Sequence, residues 1–501
     1  VGNNETLALG ESGGGVARVP LRYLTRHGII AGSTGSGKSR AMQVLAEQLA
    51  DAGIPVFVSD VKGDASGFCM SGGPSERNRL APYEPHALEA DYWSVGGRFV
   101  PMRFSVDETG AVLFSRLLSL NPTQESHLAR AFSHARKSGR RLRTSDDLLD
   151  VLDELVDTKQ RGISPSSIAV IQRKIIALDE SGLAGMFGEP RVKLSDLKGL
   201  NVLNLSDSRK NPISTLAPAF LLQKLFNELP EVGDVERPSF AIFFDEAHYL
   251  FRNANKSLND LMATMLRQIR SKGVAVFFIT QEAGDIPEEI LGQLSTKIIF
   301  SQRVFTGKGT ARLRALANSF PRSSGDVMEV LKTMAPGTAL FSTLDAQGNQ
   351  TPPMQVKIFA PASSMAVVPD EMLRKMTDPK LMAGYAIAKK AEAGKVKPAA
   401  GEAKAPATEK TQPKPAAAKT ARAGPSPWDG AFTFLLKLLR FIINALGMVI
   451  NAALVKPLKS LFRYLVKKPV RLAYFLLLLL LIYVIIINWA LVSSLLARLK
   501  F

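Results

Sequence analysis

"RHGIIAGSTGSGKSRAMQVLAEQL" (residues 26–49) decides the fold. An apolar run leads into a glycine-rich turn, and the turn leads into a segment with apolar residues at three-to-four spacing. The stretch therefore reads as strand, tight turn and helix. The turn itself, Gly32-Ser33-Thr34-Gly35-Ser36-Gly37-Lys38-Ser39, is a complete phosphate-loop (Walker A) pattern. Its glycines let backbone N–H groups approach phosphates at the positive end of the following helix. Lys38 is expected to reach the β- and γ-phosphates, and the Ser39 hydroxyl to ligate Mg²⁺. ATP and Mg²⁺ are the expected ligands.

A second stretch, "FAIFFDEAHYLF" (240–251), ends an apolar strand on Asp245 and Glu246. Asp245 is placed to hold Mg²⁺ as a Walker B carboxylate, and Glu246 to polarise the attacking water, which points to hydrolysis rather than binding alone. The letters "DEAH" do not make a helicase box here, because companion helicase motifs are missing. In "GVAVFFITQ" (273–281), Gln281 leaves the end of another buried strand and is a candidate sensor of the γ-phosphate. "MLRQIRSKG" before it offers Arg267, Arg270 and Lys272 as cations for a neighbouring subunit's site, with Arg303 as a further candidate. "SDVKGD" (59–64) puts Asp60, Lys62 and Asp64 at a strand's carboxyl end. Either a ligand edge or a simple turn explains it.

Strand patterns alternate with helices from about residue 20, and "IPVFVSDVKGD" (54–64) reads as a strand buried on both faces. From about 104 to 196 the pattern is helical; strand signals return at 201–205, 239–248, 273–281 and 296–303. The expected fold is an α/β P-loop NTPase core over residues 1–362 with a helical insertion at about 104–196. A hairpin-like segment closes it near Pro361. A single cysteine, Cys69, rules out an internal disulfide and suits a reducing compartment. The first residues, "VGNNETLALGESGGG", do not read as a secretory signal.

The charge of +18 is unevenly placed. Residues 371–501 carry 22 Lys and Arg against 6 Asp and Glu, leaving 41 basic and 39 acidic residues in 1–370. A basic pI is therefore no argument that the nucleotide-binding body meets nucleic acid. An Ala/Lys/Pro-rich stretch (363–427) is expected to be a disordered linker. Its part from 391 to 427 has six prolines, no aromatic residue and one sizeable aliphatic, Val396. As a flexible coil that part would span about 35 Å. Residues 472–497, "LAYFLLLLLLIYVIIINWALVSSLLA", carry no charge and are expected to form a transmembrane helix. Between them, 428–471 is basic and amphipathic, and suits helices lying in the lipid interface; a short membrane hairpin through 441–455 is the alternative.

These motifs together are specific. "RHGIIAGSTGSGKS…VLAEQLADAGIPVFVSDVKGD", "LPEVGD…FFDEAHYLF", "IRSKGVAVFFITQ…DIPEEILGQL" and "LDAQG" resemble the bacterial HerA-like ATPases, in the HerA–FtsK branch of RecA-type P-loop motors. The resemblance covers about 1–362, including the helical insertion, and leaves the tail unmatched. It implies a RecA-like core, a homo-hexameric ring with ATP between subunits, Gln281 as strand-end sensor and Arg270 as the finger acting in trans. It also implies a motor that moves double-stranded DNA. A membrane-tethered ATPase acting on an unknown protein partner is the competing expectation. Lys38, Glu246, Gln281 and Arg270 are the expected catalytic set. The expected location is the bacterial inner membrane, with the tail anchored in lipid and the ATPase body in the cytoplasm.

Overall fold

The computed structural model describes residues 5–95, 97–158, 162–180, 184–189, 191–206, 212–252, 254–302, 307–321 and 325–385. Arg303, most of the expected linker, the basic amphipathic region and the expected transmembrane segment lie outside the described residues. Among the described residues, no helix is long and apolar enough to cross a membrane.

One sheet organises these residues. Eight strands run parallel: β3 (Gly28–Ala31), β4 (Val56–Asp60), β5 (Ala90–Ser94), β6 (Val100–Pro101), β7 (Leu200–Asn204), β8 (Phe240–Phe244), β9 (Val274–Thr280) and β10 (Thr296–Phe300). An antiparallel flank adds β1 (Thr6–Ser12), β2 (Gly15–Pro20), β11 (Thr338–Ser342) and β12 (Met354–Ile358). The order is β2-β1-β12-β11-β10-β3-β9-β8-β4-β7-β5-β6. The phosphate-loop strand β3 is thus separated from the carboxylate strand β8 by β9. Strand structure also starts earlier than the sequence pattern suggests, since β1 and β2 form a hairpin before residue 20.

The central strands are apolar without alternation because both faces are covered. Ile30, Val58, Phe243 and Phe277 point into one core with Val44 and Leu45 of helix α1 (Lys38–Asp51). Ile29, Phe57, Ile242 and Phe278 point into the other. That second core is built by α2 (Val106–Leu117, broken at Gly110), α3 (Pro122–Lys137), α4 (Ser145–Asp157), α5 (Pro165–Glu180), α6 (Pro212–Glu228), the short α7 (His248–Phe251) and α8 (Lys256–Ile269). Helices α2 to α5 fill the interval between β6 and β7. Three short elements follow β9: α9 (Glu288–Leu291), α10 (Gly307–Asn318) and α11 (Val327–Thr333).

The sequence reading ends the folded body at 362, but the described chain stays packed beyond it. A strap, Ala362–Val368, is held by side chains of α1. Glu47 accepts from Ala362 N (2.5 Å), Ser363 N (3.1 Å) and Ser363 Oγ (2.9 Å), and Gln43 Nε2 donates to Ser363 Oγ (2.7 Å). Then α12 (Asp370–Met376) buries Leu373, and Tyr385 meets Trp93 edge to face at 5.5 Å. The linker boundary at 363 is therefore too early. A few fully buried anchors hold a stretch whose average composition is too weak to signal a core.

Candidate functional site

Four adjacent strands, β3, β9, β8 and β4, deliver the site residues from their carboxyl ends. The turn after β3 is shaped by close packing. A Cβ on Gly32 would lie 2.5 Å from Phe300 Cβ and 2.6 Å from Ser36 Oγ, and Gly37 sits at φ 122°, where a side chain is strained. Gly32 N donates to Thr280 O (3.2 Å) and Ser33 N to Ser301 O (3.0 Å), so the loop is tied to β9 and to the end of β10. Thr34 and Gly35 form its exposed tip. Lys38, 6% exposed, folds its Nζ back onto the carbonyls of Gly32 (2.6 Å) and Ser33 (3.1 Å). Burial and then Lys62 push its pKa down, against Glu246 and Asp245.

The end of β8 is fixed by Ser59 on β4, whose Oγ accepts from Asp245 N (3.0 Å) and donates to Phe243 O (3.2 Å). Asp245 stays half-buried, while Glu246 is 4% exposed and adopts φ 50°, left-handed backbone that costs a glutamate about 1–2 kcal/mol. The two neighbouring carboxyls are driven apart. Burial pushes Asp245 up to about 7; Lys62 opposes this, while Glu246, Asp60 and Asp64 add to it. Burial also pushes Glu246 up, but His248 and Lys62 outweigh it and hold the carboxyl at about 2. Lys62 Nζ is 2.5 Å from Glu246 Oε1, and His248 Nδ1 is 3.0 Å from Oε2 without hydrogen-bond geometry. From β9, Gln281 Nε2 donates to both carboxylate oxygens at 3.3 Å.

Lys38, Asp245, Glu246 and Gln281 are thus gathered at one sheet edge. Arg270 is elsewhere. It lies just before β9, at the opposite edge, pairing with Asp234 (2.7 Å). There His27 is buried, its Nε2–H donating to Leu266 O (2.8 Å) and its Nδ1 accepting from Val276 N (3.2 Å). Burial pushes its pKa to about 4; the Leu266 carbonyl opposes that and Arg270 adds to it. Arg270 thus sits apart from the phosphate loop of its own chain.

The residues fit a nucleotide and a divalent cation. Side chains at Gly32 and Gly37 would strike Phe300, Ser36 Oγ is buried without a partner, and the Lys38 ammonium rests on loop carbonyls that an anion can replace. Ser39 and Asp245 supply the oxygen donors a hard cation takes. Asp60 is the keystone of the neighbouring turn. Its carboxylate accepts from Lys62 N (3.1 Å), Gly63 N (2.7 Å) and Ala65 N (3.0 Å), and burial with Asp64 raises it to about 6 against those bonds. The sequence reading missed His248 and the pairing of Lys62 with Glu246. The spacing of two from Glu246 to His248 was the available signal, but only tertiary structure brings Lys62 there.

A family model described as "Helicase HerA-like C-terminal" matches residues 7–433. Two curated proteins called DNA double-strand break repair helicase HerA are similar to this chain. The protein from Sulfurisphaera tokodaii is 25% identical over 346 residues, 65% of this chain and 63% of its own length. The one from Sulfolobus acidocaldarius is 22% identical over 296 residues, 56% of each. The chain thus spans about three fifths of the curated relatives it matches. Among solved structures, VirB4 of Thermoanaerobacter pseudethanolicus aligns over 74% of this chain and 99% of its own, with 15% identity and a TM-score of 0.47.

Proposed function

Since the chain belongs to the helicase HerA-like C-terminal family, we propose that it is an ATP-hydrolysing P-loop motor that moves double-stranded DNA. The observation that carries the hydrolytic part is the convergence of Lys38, Gln281, Asp245 and Glu246 on adjacent strand ends, with Glu246 held ionised and in a strained backbone conformation. Ser39 and Asp245 would hold Mg²⁺, which supplies positive charge to the phosphates when bound. Lys38 binds the phosphate chain from the loop. Glu246, ionised at neutral pH, accepts a proton from the attacking water, and Gln281 fixes its orientation. Arg270, remote from its own loop, serves the next subunit of a homo-hexameric ring.

The basic tail, in this reading, anchors the ring to the bacterial inner membrane through 472–497, with the body in the cytoplasm. The competing cargo is a protein, and the near balance of 41 basic and 39 acidic residues in 1–370 favours it. The test is the ATPase rate of the full chain with and without duplex DNA across a salt series. Stimulation that fades with salt supports DNA as the cargo. An unchanged rate at low salt rejects it.

A further inference from the structure

Lys62 makes a contact that hydrolysis as described leaves unused. Its ammonium occupies Glu246 Oε1 at 2.5 Å, one of the two oxygens that can accept a proton from water. Gln281 sits against both oxygens and His248 against Oε2, so the carboxylate is enclosed on every side that a partner is seen. An enclosed carboxylate with a cation on it is a poor base.

The cation, however, is built to move. Lys62 keeps 35% side-chain exposure against 4% for Glu246. Its backbone is held separately, by the Asp60 carboxylate through Lys62 N and Gly63 N. The four-carbon stem can therefore swing while the turn stays fixed. Burial disfavours the Lys62 charge, but Asp245, Glu246 and Asp64 outweigh it, and Lys62 in turn depresses Lys38. Lys38 and Lys62 follow the carboxyl ends of β3 and β4, so both ammonium groups belong to the same edge of the sheet.

We infer that Lys62 is a positioning residue that exchanges Glu246 for the terminal phosphate of a bound nucleoside triphosphate. With a diphosphate or no nucleotide, Lys62 holds Glu246 paired and idle. With a triphosphate, Lys62 turns to the added anion and leaves Glu246 free to take the water's proton. The exchange breaks and makes no covalent bond and keeps Lys62 paired in both states. It rests on the reading of Glu246 as general base. Its thermodynamic mark is independent of turnover: Lys62 favours triphosphate over diphosphate, and Glu246 competes against that preference.

The test is the ratio of affinities for a slowly hydrolysed ATP analogue and for ADP, both with Mg²⁺, on the full chain. Lys62→Met should lower the analogue-to-ADP preference about 10- to 100-fold, the range for one lost charge-assisted hydrogen bond, and Lys62→Arg should restore most of it. Glu246→Gln should raise the preference, and the rise should vanish in the Lys62→Met background. If Lys62→Met does not fold, Glu246→Gln alone carries the test. An unchanged ratio in either folded variant overturns the exchange. A different result, wild-type hydrolysis by Glu246→Gln, removes the general-base reading instead, so the two failures are told apart.

Discussion

In α2, α3 and α4 the first turn is closed by a reciprocal cap, Ser105 with Glu108, Asn121 with Gln124 and Thr144 with Asp147. At the ends of β3, β9, β8 and β4 nothing is so economical. There Lys38, Asp60 and Glu246 are buried, Glu246 is in left-handed backbone, and Ser36 Oγ lacks a partner. The inserted helices satisfy local preference at their starts, although Ser115 Oγ, the His127 ring and Ser145 Oγ are buried there without a partner and Ser119 sits at φ 49°. The strand ends carry several such departures at once, and the cost is carried by the apolar sheet beneath them. What sets the strand ends apart is buried charge gathered from several strands, Lys38, Asp60 and Glu246 together.

The sharpest way to break that contrast is Lys38→Ala. It should cost more than about a hundredfold in ATP affinity, because a charge-assisted contact worth roughly 1.5–3 kcal/mol is lost together with the cation's wider field. Folding stability should hardly fall, since a buried cation is removed with it. Urea titration beside nucleotide titration checks both. A large loss of stability would put Lys38 among the structural residues.

Glu47 tests whether buried charge outside the phosphate loop also carries a cost. Its carboxyl is pushed from 4.5 to about 7 by burial, with Asp51 adding and the Ala362 and Ser363 bonds opposing. The folded state therefore holds the proton more tightly than the open chain. The contribution is fully present below about 4.5 and lost as pH rises through 7, at about 3 kcal/mol in all. Glu47→Gln should remove this slope. Parallel stability–pH curves for variant and parent would show that the strap tolerates the ionised form.

The smallest effect is expected in the helical insertion. Thr144→Ala removes a cap whose Oγ accepts from Asp147 N (3.3 Å) and should cost about 1 kcal/mol of stability. ATP turnover should stay at the parent rate. A turnover defect greater than the stability loss explains would connect the insertion to the chemistry.

What the sequence disclosed divides along the same line. Residues 32–39 and 245–246 are contiguous, and contiguous residues on strand–turn–helix junctions are readable because the junction itself fixes their geometry. Gln281 was legible for the same reason. The Lys62–Glu246 pair was not, since it joins β4 to β8 across residues 63–245 of intervening chain. The strap and Tyr385 escaped notice because their anchors are too sparse for a periodic signal, and the β1–β2 hairpin because it opens on glycine and polar residues. Arg270 was visible only as one of several cations. Its place at the far sheet edge comes from topology.

The strap joins the last described residues to helix α1. Traced back from Tyr385 against Trp93 and from the buried Leu373, the chain reaches the bonds that Gln43 and Glu47 make to Ala362 and Ser363. They end on α1, the helix whose first residue is Lys38. The strap thus fastens the last described residues to the helix that opens at the phosphate loop, as a tendon inserts beside a joint.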